Sequence, residues 1–256
     1  MPEEATKGRY LYCIICCDEP RTFTARGIGE EEDIDVYTIH HADLASVVSD
    51  SPVIDYERTR QNMMAHELVV GEVMRDFTVL PVRFGTVAPD EEAVREKMLK
   101  RRYDEFKGLM SEMEDRDEAG LKIFWREERL YQDIVDENPS IRQLRDRLAG
   151  KPLEQRHYES IHLGEMVKDA VIRKRDTEAQ RVMDRLSPIA CKSKTNNLLG
   201  DKMVLNAAFL VDRARAQEFD GAIQALDEEL GEHLMFKYVG PVAPYNFVNI
   251  IVSWDR

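Results

Sequence analysis

The sequence is poor in the features that mark membrane proteins, nucleic-acid binders and the common enzyme classes. No apolar run approaches the roughly 18 residues that a membrane span requires, so neither a transmembrane helix nor a lipid-membrane partner is expected. Basic residues are in deficit. Thirty-six Lys and Arg stand against 49 Asp and Glu, a formal net charge of −13, and that field opposes polyanions, so nucleic acid is not an expected partner. Cysteine is scarce: Cys13, Cys16, Cys17 and Cys191 are the only four, and three of them fall in "YLYCIICC". No second pair completes a zinc site, and a CxxC on a strand lacks the helix N-terminus that stabilises a thiolate. The cysteines therefore read as small buried apolar groups in a reducing compartment.

Catalytic signatures are missing as well. There is no Walker-type lysine loop, and Gly27-Ile28-Gly29 lacks both the third glycine and the strand-to-helix context of a dinucleotide fingerprint. No G-x-S-x-G elbow occurs. "HELVV" at His66 begins like a zinc-protease motif but has Val70 where the second ligand belongs. Glu159, His162 and Glu165 contain one Glu-x-x-His unit where di-iron bundles need two, and His40 and His41, adjacent on a strand, point to opposite faces. No catalytic residue, metal or cofactor is expected.

What remains is a globular composition, 43% hydrophobic and 33% charged over 256 residues, enough for one large or two medium domains. The opening "MPEEATK" is polar and acidic, unlike a secretory leader, which makes a soluble cytoplasmic protein the expectation. "RYLYCIICC" reads as a buried strand, "IDVYTIHH" and "LASVVSD" as two more. A helix is expected over 57–75, with Met64, Ala65, Leu68, Val69 and Val73 as its buried stripe. "FTVLPVRFG" returns to strand chemistry, and Pro89 followed by three acids announces a helix running toward Glu118. Lys107 to Glu118 is polar and reads as a solvated helix end and connector, where a domain boundary fits.

The second half begins with the strand "GLKIFWREE", followed by charged helices over 129–149 and 153–186 and a polar loop, "KSKTNNLLGDK". "MVLNAAFLV" suits an interior strand. Phe219, Ala222, Ile223, Leu226 and Leu230 mark a helix stopped by Gly231, and "LMFKYVGPV" and "YNFVNIIVSW" read as two strands around a Pro/Gly corner. The expected fold is α+β, with two α/β domains at 1–118 and 119–256. The second is close to a split βαβ plan whose first crossover is expanded by the helices of about 129–186.

Two short segments stand out. In "VLPVRFGTV" Arg83 reads as a strand-end arginine fixing a strand-to-helix corner by hydrogen bonding, with Gly85 permitting the turn and Phe84 beside it; contact with a partner is the other reading. In "GPVAPYNF" Gly240-Pro241 and Pro244-Tyr245 read as a rigid corner, and Tyr245 and Phe247 equally as an exposed aromatic contact.

Taken together, "YLYCII", "DLASVVSD", "HELVVGEVM", "VLPVRFGTV", "GLKIFW", "LNAAFLVD" and "GPVAPYNFV" resemble, in order and over nearly the whole chain, the gas vesicle accessory family GvpF/GvpL. In its final motif the family often carries Trp-Pro where this chain has Val242-Ala243. The resemblance implies a non-enzymatic protein of the cytoplasm or the gas vesicle that binds the small, hydrophobic major shell protein during assembly or sits as a minor vesicle component. It implies a second domain with a modified ferredoxin-like fold, and Arg83, Phe84, Gly85, Gly240, Pro241, Tyr245 and Phe247 are its motif residues and the candidate partner contacts. The alternatives are an adaptor whose acidic helices dock other gas vesicle accessory proteins, and a small-molecule sensor or enzyme with a cleft between its domains.

Overall fold

The computed structural model describes residues 7–29, 34–152, 156–252 and 254, with Glu127 and Glu128 described by backbone alone. The chain divides into two compact units, Met1–Glu118 with Pro241–Arg256, and Ala119–Gly240. The closing stretch, expected in the second domain, thus packs with the first unit: Ala243 lies in that unit's core and Val82 bridges Ile250.

The first unit is built on β1 (Lys7–Cys16), whose Tyr10 to Ile15 are all fully buried. It pairs antiparallel with β4 (Leu44–Pro52), which pairs with β3 (Val36–His41), and β3 with the short β2 (Thr22–Phe23). On the other side of β1 lie two fragments, β5 (Leu80–Pro81) and β6 (Val87–Ala88), so that "VRFGT" forms the loop between two contacts with the same strand.

A strand buried on both faces needs cover on both. Helix α1 (Arg60–Val73) packs against Tyr10, Tyr12, Cys13 and Ile15. A π-helical segment, Ala93–Lys100, and α2 (Tyr103–Met113) pack on β3, β4 and β5 through Val94, Met98, Leu99 and Phe106.

Two expectations for this unit are corrected. The buried stripe of α1 is His66, Val69, Val70 and Val73, while Met64 and Leu68 are 51% and 63% exposed. The helix is rotated because His66 turns inward to hydrogen-bond partners, a preference that an apolar count does not register. Residues 107–118 are no solvated connector: Phe106, Met110 and Met113, at i, i+4 and i+7, are buried, and β7 (Arg116–Trp125) already includes the buried Glu118.

In the second unit β7 is followed by α3 (Glu127–Glu137), α4 (Pro139–Ala149), α5 (His157–Leu186), β8 (Lys192–Thr195), β9 (Met203–Asp212), α6 (Ala216–Leu230) and β10 (Leu234–Val242). Pro139 opens α4 and so divides the expected 129–149 helix in two. The sheet order is β10-β7-β9-β8. Leu121, Ile123 and Trp125 of β7 and Phe209 of β9 meet Phe219, Ile223 and Leu226 of α6 and Ile134, Ile141, Val182 and Leu186 of the longer helices in one core. Strand β8 falls in the expected polar loop. Its residues, all exposed, are held by an antiparallel ladder from Lys192–Leu210 to Thr195–Ala207, and its lysines suit a sheet edge.

Both "corner" expectations at the C-terminus change. Gly240 and Pro241 lie inside β10, an edge strand where proline is tolerated. The expected strand over 245–254 is a turn at Tyr245–Phe247 followed by a single bridging residue, because the Phe247 and Val248 amides both donate back to the Pro244 carbonyl, at 3.0 and 2.8 Å. Ser253 of that stretch lies outside the described residues. No described helix is long and apolar enough to cross a membrane.

Candidate functional site

The two motif segments meet at His66. This side chain, 1% exposed, enters the core from α1 between Val69 and Val70 on one side and an aromatic cluster on the other. Ring centroids of Tyr10, Tyr12, Phe84 and Tyr245 lie 5.7, 5.5, 5.7 and 6.4 Å from its own. Its Nδ1 is 3.0 Å from the Tyr10 hydroxyl and its Nε2 is 3.1 Å from the Tyr245 hydroxyl. The Gly85 amide donates to the Tyr10 oxygen at 3.0 Å. Strand β1, helix α1, the "VRFG" loop and the C-terminal turn are thereby joined through one imidazole.

The direction of these bonds follows from the charges at the ends. Tyr245 also bonds the Glu67 carboxylate, a pure acceptor when ionised, so the tyrosine donates there and accepts from His66 Nε2–H. Nδ1 is then unprotonated and accepts from the Tyr10 hydroxyl. Burial holds the imidazole neutral, with its pKa lowered to about 4. Desolvation also pushes Tyr10 and Tyr245 well above the usual phenol range, and Glu67 adds to the rise at Tyr245. Glu67 itself, although exposed as a residue, is raised by burial of its carboxyl end, offset by the hydrogen bond from Tyr245. With both nitrogens occupied, His66 is a structural junction.

That junction makes the first unit acid-sensitive. The unfolded chain binds a proton at His66 with the ordinary pKa of 6.5 and the folded chain only near 4, so between these values the unfolded state carries more protons. The stabilisation is complete above pH 6.5 and is lost as pH falls toward 4, by on the order of 3 kcal/mol. Urea unfolding of the wild type and of His66→Phe at pH 7.5 and 4.5 checks this: the wild type should lose more stability on acidification than the variant, and equal losses would show that His66 does not carry the effect.

Other sites named from sequence are placed differently. The Arg83 side chain is exposed and makes no hydrogen bond or ion pair with described residues. The expected side-chain clamp is absent because Val82 is buried where its backbone pairs with Ile250, and the next residue faces outward. The Arg83 carbonyl holds the turn instead, accepting from the Thr86 amide at 3.2 Å and hydroxyl at 2.7 Å. Gly85, at φ +82°, supplies the left-handed residue that turn requires. Phe84 is half-buried against His66, and Phe247 is half-buried. Gly240 and Pro241 are exposed on β10.

Sequence reasoning missed the second anchor of the C-terminal turn. The Glu118 carboxylate, 3% exposed, accepts from the Asn246 amide at 2.7 Å and from its side-chain nitrogen at 2.5 Å. The signal lay in the apolar alternation through Ala119, Leu121 and Ile123, which extends backward to place Glu118 inside a strand.

The outer side of α1 is open. Between it and the 24–29 segment runs a cleft of about 780 Å³, floored by Met64, Ala65 and Leu68. Glu72 ties the two walls, accepting from the Thr24 amide and hydroxyl at 2.9 and 2.7 Å and from the Ala25 amide at 2.5 Å. Among the described residues no group of three or more His, Cys, Asp or Glu is placed to hold a metal ion.

These features define a two-unit α+β protein in which Tyr10, His66, Phe84, Gly85 and Tyr245 are engaged with one another. A family model described as "Gas vesicle synthesis protein GvpL/GvpF" matches residues 8–249, and the chain belongs to that family. It is 30% identical over 252 residues to Gas vesicle protein F of Microcystis aeruginosa, covering 96% of this chain and 100% of the relative. It is 26% identical over 268 residues to Gas vesicle protein L1 of Halobacterium salinarum, covering 96% and 92%. Its fold is similar to the crystal structure of the gas vesicle protein GvpF from Anabaena sp. PCC7120, with a TM-score of 0.83 at 28% identity over 96% of this chain and 100% of that one. The expectation drawn from the motifs holds: this is a gas vesicle accessory protein.

Proposed function

We propose that this chain is a non-enzymatic assembly factor, working in the cytoplasm and at the growing gas vesicle, that binds the major shell protein through an exposed apolar surface of its first unit. The observation that carries this reading is the outward face of α1. Met63, Met64 and Leu68 are exposed, and Val53 and Ile54 add two more large apolar groups in the same unit. A subunit that polymerises through apolar faces needs such a surface to shield it, and a carrier with a net charge of −13 stays dispersed while doing so. Tyr245 serves this reading indirectly, by fixing the C-terminal turn against α1. The motif loop leaves Arg83 outward as a second point of contact. In the second unit the order β10-β7-β9-β8 and the succession strand, helices, two strands, helix, strand support the ferredoxin-like reading.

The test is co-expression with the major shell protein of the same organism and recovery of the soluble complex through this chain. Specific recovery of soluble shell protein is the expected result; shell protein that stays soluble and assembles normally without this chain would overturn it. Adaptor function is the second reading, favoured by Tyr158 and Ile161, 85% and 51% exposed on successive turns of α5. There, the other accessory proteins replace the shell protein as the recovered partner.

A further inference from the structure

The Gly27-Ile28-Gly29 segment, which fits no nucleotide motif, forms one wall of the α1 cleft, and its geometry is fixed in advance. The Ile28 amide donates to the Tyr12 hydroxyl at 2.8 Å, the Gly27 amide donates to the Ile34 carbonyl at 2.9 Å, and Gly29 sits at φ +143°. A Cβ at Gly27 would meet Ser49 Cβ at 2.9 Å, so only glycine lets the wall approach the sheet this closely. The wall runs along the helix, from Thr24 bound at Glu72 to Gly29 near Gln61.

Cationic side chains predominate among the described residues of this groove. Glu72, bound by Thr24 and Ala25, remains an anion beside Arg75, and among the described lining residues the cations Arg26, Arg60 and Arg75 outnumber it, on a chain that is otherwise strongly acidic. Arg60 opens α1 and Arg75 follows its end, about 22 Å apart at 1.5 Å per residue. Between them Met64 and Leu68, one turn apart, form an exposed apolar ridge. A small ligand would leave this ridge largely wet. A helix laid along α1 covers it, in the helix-in-groove mode, and methionine adapts to the partner's side chains.

We propose that this groove docks a helical segment of the partner, three to four turns long, with an apolar stripe between carboxylates at its two ends. The inference rests on the shell-binding reading above and assigns its surface. Arg60 and Arg75 set the register of the segment, and the ridge of α1 supplies the buried contact.

The experiment co-expresses the full chain with the major shell protein of the same organism and compares wild type, Met64→Asp/Leu68→Asp, Arg60→Glu/Arg75→Glu and a second-unit control, Tyr158→Asp. All substituted side chains are exposed, and a thermal melt confirms that each variant is folded. Recovery should be unchanged for the control and at least about tenfold lower for both groove variants, with added salt weakening the wild type more than Arg60→Glu/Arg75→Glu. Equal recovery by wild type and groove variants overturns the groove and leaves the shell-binding reading standing. No recovery by any chain overturns that reading and the groove with it. A wild-type dimer that Met64→Asp/Leu68→Asp dissolves, with shell recovery intact, gives the groove to a second copy and also overturns the proposal.

Discussion

Replacing His66 with alanine should lower the stability of the first unit by about 3–5 kcal/mol, and with phenylalanine by about 2 kcal/mol. Alanine opens a cavity beneath α1 among Tyr10, Tyr12 and Phe84 and removes both hydrogen bonds of the junction. Phenylalanine fills the space but accepts nothing. Its cost falls unevenly on the two tyrosines. Tyr245 can still donate to Glu67, whereas the Tyr10 proton, fully buried, loses its acceptor. The double variant Tyr10→Phe/His66→Phe should therefore be more stable than the sum of the single changes predicts, by about 1 kcal/mol or more. Urea unfolding of the four proteins at pH 7.5, followed by circular dichroism, measures this coupling. Additive effects, or a His66→Phe variant within about 0.5 kcal/mol of wild type, would refute the assigned direction of the bonds.

This dependence on one imidazole also explains what the sequence can and cannot convey. Strands β1, β3, β4 and β9 are readable as short apolar runs rich in aromatic and β-branched residues with turn signals at their ends, and helix α6 by its 3.6-residue period. The facing of α1 is not, since His66 counts as polar until Tyr10 and Tyr245 are known to stand beside it, 56 residues before and 179 after. The same holds for β8, which carries no apolar signal and exists because β9 offers it a ladder. The turn after Pro244 replaces a strand for a purely local reason, the loss of a donor and two amides folding back on one carbonyl. Arg83, Gly85 and Tyr245 were visible as members of two of the seven segments that carry the family resemblance; their division of labour was not. The arginine is the member left outward, and the glycine and the tyrosine bind inward.

Glu118→Ala should release the C-terminal turn more completely than any other single change outside His66. The carboxylate is 3% exposed and takes two donors from one residue, so its removal leaves the Asn246 amide and side chain to find other acceptors, at about 2–4 kcal/mol. Asn246→Ala removes the side-chain bond to Glu118 and keeps the 2.7 Å amide bond, so it should cost about 1 kcal/mol. Glu118→Gln falls between, because one amide oxygen can accept while its nitrogen presents a donor to a donor. Amide hydrogen exchange over residues 243–252 separates this anchor from general destabilisation. In Glu118→Ala exchange there should accelerate by at least about tenfold while β9 in the second unit keeps its wild-type protection. If instead Asn246→Ala matched Glu118→Ala, the backbone amide bond would contribute nothing, and the turn would be held by other contacts, among them Tyr245 and the packing of Ala243 and Val248.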